Sequence, residues 1–591
     1  MSSPRGLMRS RRFLPLFITQ FLGAFNDNTF KNALVVLLTY QAAQWTTISP
    51  GILANLAAGI FILPFFLFSA TAGQLADKYD KSRLARLVKI LEIFIMLVAG
   101  VGFVLHSLGW LLLALFLLGL HSTIFGPVKY ALLPQHLRAD ELLGGNALIE
   151  AGTFVSILLG ILAGGLLAGT GNPSVIAGAG LAVAVTGYFS SRAIPLAPPP
   201  QPELPIHPNP LSETWRNIGF ARQNRSVFLS ILGISWFWLF GALFLAQFPA
   251  YAKTVLGGDE AAVTLLLATF TIGVGLGSMA CERLSGHRVE IGLVPLGSIG
   301  LTLFGLDLSL ASPGSIPATT LTVGQLLGVA STWHVLADLL LIGIFGGFFI
   351  VPLYALVQMR SAEDYRARII AANNIMNALF MVAGSLAAAG LLAVGLSIPA
   401  LFALAALVNA LVAFYIYRLV PEFLVRFVVW LVLHTIGRVD AKGLEQIPAE
   451  GGALLVLDTE GKPKSVDMLM LMAACKRPIR FIAEESIERL PLYGFVLRQA
   501  RAIFAGRDDP DSRSAAIGAA RQALLGGQLV SVAHNPIDPV SLLEEIQVPM
   551  FRVTLTPARG WDAHQKAGRP ALAKTELLVT PMLSSQEGGS L

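Results

Sequence analysis

Charge is scarce in this 591-residue chain: Asp, Glu, Lys and Arg together make up 13% of it, against about 25% in ordinary soluble domains. That shortage excludes a soluble globular protein with a solvated surface of normal charge density. Cysteine is nearly missing too, with only Cys281 and Cys475 present, so no disulfide framework is expected. A removable leader is the third absence. Arg5, Arg9, Arg11 and Arg12 do precede an apolar run, but that run is too long and too polar for a signal-peptide core and has no small-residue cleavage site. It is expected to stay in the mature chain.

Apolar sequence is abundant instead. Hydrophobic residues make up 54% of the chain, and its mean hydropathy is +0.68. Runs of roughly 20 residues, enough to cross a hydrocarbon core of about 30 Å as helices, recur along the first 418 residues, and twelve can be placed between residues 13 and 417. Lys and Arg gather at the N-terminus and around every second loop, among them Lys78, Lys81, Arg83, Arg86, Lys89, Arg216, Arg222, Arg225, Arg360, Arg366 and Arg368, while the opposite loops hold Lys253. Short loops rich in these residues stay in the cytoplasm, which predicts both ends of the twelve-helix unit on the cytoplasmic side. The net charge of +6 is therefore an orientation signal rather than a nucleic-acid footprint, and no nucleic-acid partner is expected.

The first apolar run is the least apolar. Within "QFLGAFNDNTFKNALVVLL" stand Asn26, Asp27, Asn28, Lys31 and Asn32. At 100° per residue Gln20, Asp27 and Lys31 lie within about 20° of one direction, with Gly23 and Ala24 beside them, so one stripe of the helix is polar and the rest can face lipid. A charge at bilayer depth costs about 2.5–3.5 kcal/mol even on the lenient insertion scale and normally faces a watery cavity with a partner. Asp27 and Lys31, four residues apart, are the expected pair: either an architectural tie or part of a binding site. Lys129, Glu150, Trp238, Gln247 and Asn377 are the further candidates for the cavity wall. His121 and Asn55 read as satisfied polar groups within their helices.

The two halves of the membrane region repeat. "NALIEAGTF" (146–154) corresponds to "NNIMNALFM" (373–381), and "YALLPQ" (130–135) to "YALVQM" (354–359), at offsets of 227 and 224. "GQLADKYDKSR" (73–83) corresponds likewise to "GSMACERLSGHR" (277–288). Glu150 and Asn377 occupy matching positions and are expected to point the same way. Two six-helix repeats, 1–194 and 227–418, joined by a Pro-rich segment within 195–226 ("PLAPPPQPELPIHPNP"), describe the major facilitator layout, in which the substrate site lies between the halves near the midplane. "GQLADKYDKSRL" resembles that superfamily's signature between helices 2 and 3. The resemblance makes Gly73 a close-contact position and Asp77, with Arg83, a conformational latch.

"FLGAFNDN", "FGPVKYALLPQ", "GNALIEAGTFVSILLGILAGG" and "LIGIFGGFFIVPLYALVQ" resemble the bacterial lysophospholipid transporter family within the major facilitator superfamily, across the first 418 residues. The resemblance implies a flippase that takes lysophospholipids from the outer leaflet of the inner membrane to the cytoplasmic leaflet for reacylation. Asp27 and Asn28 then match the family's polar first helix, Lys129 and Tyr130 its fourth, and Glu150 its fifth. The family places a basic residue in the outer half of helix 7, where this chain offers Gln247, and Lys31 is the candidate replacement. The 35 phenylalanines, with Trp236 and Trp238, are available to line an acyl chain.

Beyond residue 418 the composition changes. Residues 419–439 read as an interfacial helix, 440–560 as a small cytoplasmic α/β domain and 561–591 as a tail. "GALLVLD", "IRFIAEE", "LVSVAH" and "MFRVTL" predict short buried strands, with helices over "KSVDMLMLMAAC" and "SRSAAIGAARQALLGG". The order resembles the glycerolipid acyltransferases, but at the positions that resemblance makes catalytic the fit fails. Asp467 is kept; Lys462 stands where the family has its His; Arg507 matches the basic residue of the second block; Asn535 and Pro536 replace the Glu and Gly of the third. With no imidazole there, the domain is read as non-catalytic, with a separate acyltransferase as its candidate docking partner. No cofactor or metal is expected. The rival readings are a bifunctional flippase and acyltransferase, and a major facilitator exporter of small amphiphiles.

Overall fold

A computed structural model of the chain describes residues 4–40, 50–284, 292–311, 320–419, 425, 428–429, 438–448, 451–459, 465–475, 477–507, 509–533, 537–543, 546–557 and 574–582. It divides into two compact units, the second comprising Phe414–Leu591 with Glu290–Gly292.

The described residues before 420 include twelve long helices: α1 Leu14–Tyr40, α2 Pro50–Lys78, α3 Lys81–Val104, α4 Leu108–His136, α5 Leu142–Gly169, α6 Pro173–Arg192, α7 Arg225–Thr254, α8 Glu260–Leu284, α9 Leu293–Ala311, α10 Ala330–Arg360, α11 Arg366–Ala393 and α12 Ile398–Leu419. Eleven of them, α2 to α12, are long and apolar enough to cross a membrane. α1 is as long, at 27 residues, and carries the polar cluster noted above. Local chemistry sets several starts. Asp80 caps α3, accepting from the backbone N–H of Ser82 at 2.8 Å and of Arg83 at 3.0 Å, and Asn224 caps α7 in the same way. A short helix, Pro210–Gln223, sits in the linker with Asn209 as its cap.

Helices of the two halves meet as α2 with α11 and α5 with α8. The hydrogen bonds joining the halves cluster at the end that carries the basic loops. There Gly73 leaves no room for a side chain: a Cβ would lie 2.8 Å from Ala371 Cβ and 2.9 Å from Arg368 Cα. Cys281 and Cys475 are both buried.

The second unit is built on a seven-stranded sheet of order β1-β7-β6-β2-β5-β3-β4. The strands are β1 Arg438–Lys442, β2 Ala453–Thr459, β3 Ile479–Glu484, β4 Ile503–Ala505, β5 Leu529–Ala533, β6 Met550–Pro557 and β7 Lys574–Met582. All neighbours run parallel except β6 and β7. The sheet is buried on both faces, which is why its central strands read as continuous apolar runs. Leu455 and Leu457 of β2 pack with Met468 and Leu471 of α13 (Ser465–Ala474). Leu454 and Val456 pack with Ala516 and Ala520 of α14 (Pro510–Leu525). Two expectations change here. The stretch read as a tail from 561 contributes β7, whose Val579 is fully buried opposite Val553; its apolar positions acquire a partner only through long-range pairing. The interfacial helix expected over 419–439 lies mostly outside the described residues, and Val425 and Val429 within it are buried in the core of this unit.

Candidate functional site

A cavity of about 260 Å³ lies between the two halves of the membrane unit. α1, α2, α4 and α5 supply one wall; Trp238 of α7, Tyr354 of α10 and Asn374, Asn377 and Met381 of α11 supply the other. At 1.5 Å per residue, Asp27 stands about 20 Å from the start of α1 and His121 about 20 Å from the end of α4, so the cavity sits near mid-depth.

Of the residues expected on the wall, Gln20, Asp27, Lys129, Trp238 and Asn377 line the cavity. Gln20 accepts from the Thr153 hydroxyl at 3.1 Å. Asp27 accepts from the Ser122 hydroxyl. The Lys129 ammonium lies 4.5 Å from the centroid of the Tyr130 ring, and among the described residues no ion pair joins it to an acid. Trp238 donates to the Tyr354 hydroxyl at 3.0 Å and stacks on Phe154, and Asn377 accepts from Ser235 at 2.8 Å. Glu150 stands one hydrogen bond behind the wall, fully buried, accepting from the Tyr130 hydroxyl at 2.5 Å.

Three expected residues lie elsewhere. Asn28 turns back on its own helix, donating to the Ala24 carbonyl at 2.8 Å. Gln247 is half-buried and outside the lining. Lys31 is not paired with Asp27: its ammonium lies over the Phe61 ring at 5.1 Å. Helical spacing puts the two on one face, but the aromatic side chain of α2 captures the lysine.

Asp27 instead joins a buried network that the sequence reading missed. Lys89 and Glu92 of α3, both fully buried, form an ion pair at 2.5 Å. Asn26 donates to Glu92 at 2.7 Å and to the Gly180 carbonyl at 3.2 Å. His121 lies between Glu92 and Asp27, with Nε2 3.3 Å from the first and Nδ1 3.9 Å from the second. Lys89 has space because α1 and α6 present Gly23 and Gly187 to it; a Cβ on Gly23 would fall 2.8 Å from its ammonium. Lys89, read above as a basic loop residue, is thus an interior cation, and His121 is a wall residue rather than a polar group satisfied within its own helix. The signal available in the sequence was the Lys-x-x-Glu spacing inside an apolar run. Asn55 lies among the residues whose side chains are not described.

The basic end of the cavity is closed. Tyr130 and Tyr354, equivalent in the repeat, stack face to face at 4.5 Å. Nearer the helix ends, Asn146 and Gln358 exchange two hydrogen bonds at 2.7 and 3.0 Å across the halves. Asp77 caps the start of α11, accepting from the backbone of Ala367 at 3.1 Å and from the Arg368 guanidinium at 3.0 Å; an anion at a helix N-terminus is favoured by the exposed N–H groups and the dipole. Arg83, expected beside Asp77, is exposed and lends only its backbone N–H to Asp80. Arg368 from the other half takes the position instead.

In the second unit Asp467 opens α13 after β2, and exposed Arg507 follows β4. Both therefore stand at the carboxyl edge of parallel strands, where ligands of open α/β sheets bind. Lys462 and Asn535 lie outside the described residues.

Comparison with known proteins agrees with this architecture. The Major Facilitator Superfamily profile matches residues 16–329, and the Acyltransferase profile residues 438–534. The Lysophospholipid transporter LplT of Enterobacter sp. (strain 638) is 31% identical over 412 residues, covering 67% of this chain and 94% of the relative. That of Cronobacter sakazakii is 29% identical over 419 residues, covering 67% and 92%. The human organic anion transporter MFSD10 superposes with a TM-score of 0.55 at 15% identity, covering 69% of this chain and 99% of its own, a likeness of fold alone. The chain is therefore a multi-pass membrane transporter of the major facilitator superfamily, belongs within it to the LplT family, and carries an acyltransferase-family domain at its C-terminal end.

Proposed function

We propose that the membrane unit is a lysophospholipid flippase, moving its substrate from the outer to the cytoplasmic leaflet of the bacterial inner membrane, where the lipid is reacylated, and that both chain termini are cytoplasmic. The observation that carries this reading is the one-sided distribution of charged groups in the cavity. Its acid, its lysine and its histidine, Asp27, Lys129 and His121, all come from the N-terminal half, beside Phe61, Ile62, Phe65 and Phe125, and the facing half contributes Trp238, Tyr354, Met381 and the uncharged amides of Asn374 and Asn377. A lysophospholipid has that division: a small charged headgroup and one long apolar chain. At about 260 Å³ the cavity suits a headgroup, with the acyl chain leaving along the uncharged side. Asp27 is placed for an ammonium and Lys129 for a phosphate. Closure at the basic end and the positive-inside bias together support entry of the lipid from the opposite, outer side. The test is leaflet-to-leaflet movement of labelled lysophosphatidylethanolamine in proteoliposomes of the full chain. Protein-dependent movement supports the reading; movement of small amphiphilic drugs without lysophospholipid overturns it.

We further propose that the C-terminal unit transfers no acyl group and receives the flipped lipid or docks a separate acyltransferase, with Arg507 as a phosphate contact. A general base contributes typically 10²–10⁴-fold, and Lys462 replaces the histidine that the acyltransferase resemblance puts in that role. The family match over 438–534 and the retained Asp467 favour the bifunctional alternative. Full-length protein supplied with lysophospholipid and an acyl thioester decides: diacyl product above background assigns the enzyme activity.

A further inference from the structure

His121 is 1% exposed, yet it borders the cavity and its ring stands between carboxylates of two helices, Glu92 and Asp27. These two acids are not equivalent. Glu92 already holds the Lys89 ammonium at 2.5 Å and the Asn26 amide at 2.7 Å. Asp27 is given only the Ser122 hydroxyl, and its Oδ1, like both ring nitrogens of His121, is buried without a hydrogen-bond partner. With the hydrogen of the neutral ring on Nε2, toward Glu92 at 3.3 Å, a second proton arrives on Nδ1, which faces Asp27 at 3.9 Å.

The other charged groups around this pair are Lys31 on α1, Lys89 and Glu92 on α3, and Lys129 on α4, with Glu150 on α5 facing Lys129 in turn. α2 presents Phe61 and Phe65, α11 presents Asn374, and α10 presents Tyr354 with its phenol. With all six ionised, three lysines face three acids and the wall is neutral while the imidazole is uncharged. That balance matches a zwitterionic headgroup, whose ammonium answers Asp27 and whose phosphate answers Lys129. A headgroup with a phosphate and no ammonium brings one uncompensated negative charge and leaves Asp27 unopposed at bilayer depth, where an unpaired charge is costly.

We infer that His121 is a charge adaptor: it takes up one proton when a lysophospholipid of net negative headgroup enters, and none when the headgroup is zwitterionic, so that one cavity serves both classes. This rests on the lysophospholipid reading above. It uses the property that sets histidine apart, a charge change that ordinarily falls between about pH 5 and 8.

The experiment is binding of labelled lysophosphatidylglycerol and lysophosphatidylethanolamine to the full-length protein in nanodiscs, from pH 5.5 to 8.5. One linked proton makes affinity for lysophosphatidylglycerol fall by about tenfold per pH unit over the upper part of that range, while lysophosphatidylethanolamine gives a flat profile. His121→Gln removes the slope for lysophosphatidylglycerol. Equal slopes for the two lipids, or a slope that persists in His121→Gln, overturns the adaptor. If the variant fails to fold, the difference between the two wild-type profiles decides by itself. Absence of binding by either lipid overturns the lysophospholipid reading and the adaptor with it, whereas binding of both without any pH dependence overturns the adaptor alone.

Discussion

The N- and C-terminal halves of the membrane unit share one repeat and are furnished differently. Tyr130 and Tyr354 keep the same residue and meet face to face. Around them the chemistry diverges: Lys129 corresponds to Leu353 and Glu150 to Asn377. The N-terminal half also buries Lys89, Glu92, His121 and Asp27 in one connected group, while Asn377 across the cavity is satisfied by the Ser235 hydroxyl. The repeat thus preserves what closes the bundle, a flat aromatic contact and small residues where helices touch, and leaves each half free to specialise. On the proposed reading the N-terminal half reads the headgroup and the C-terminal half accommodates the chain.

The largest effect is expected where a charge pair crosses between the halves. Asp77→Asn leaves Arg368, 3% exposed, without its carboxylate, and removing one partner of a buried pair costs about 3–5 kcal/mol. Closure of the basic end should weaken, with spin labels on the ends of α2 and α11 moving apart and transport falling more than tenfold. Unchanged label distances would remove the latch from the account. Asp27→Asn comes next. Loss of a hydrogen bond to a charged group, about 1.5–3 kcal/mol, should reduce headgroup affinity by roughly ten- to a hundredfold, and normal affinity at wild-type abundance would make Asp27 architectural. Glu150→Gln keeps the Tyr130 contact but removes its charge, and is expected to shift the ratio of anionic to zwitterionic lysophospholipid transport several-fold; an equal change for both classes would take Glu150 off the headgroup side. Lys31→Ala should be mildest. An ammonium over a ring contributes about 0.5–1 kcal/mol at an exposed site and about 2 when desolvated, so a loss exceeding that of Asp27→Asn would mean that Lys31 works with Asp27 after all.

How much of this was legible beforehand depends on the range of the forces involved. The twelve long helices, eleven of them apolar enough to cross a membrane, and four of the seven strands follow from local hydropathy and periodicity, and each is found among the described residues. Asp77 was visible through a loop signature, but its partner was not: Arg368 lies 291 residues away, and the nearby Arg83 was the choice that short range suggested. Asp27 and Lys31 were paired by helical geometry, which ignores Phe61 on a neighbouring helix. Lys89 and His121 each had an adequate local explanation, as a loop cation and a satisfied histidine. Only the packing of α1, α3, α4 and α6 assembles them. β7 was lost for the same reason, since Lys574–Met582 becomes a strand by pairing with β6 and β1.

The division of labour between the halves has one direct measurement: a lysophospholipid carrying a photoreactive group on its headgroup, crosslinked to the full-length protein and mapped by peptide sequencing. The account predicts adducts on α1 and α4, around Asp27, His121 and Lys129, with a probe at the end of the acyl chain labelling α7 and α11 instead. Headgroup adducts on α7 or α11, or the same peptides from both probes, would contradict it.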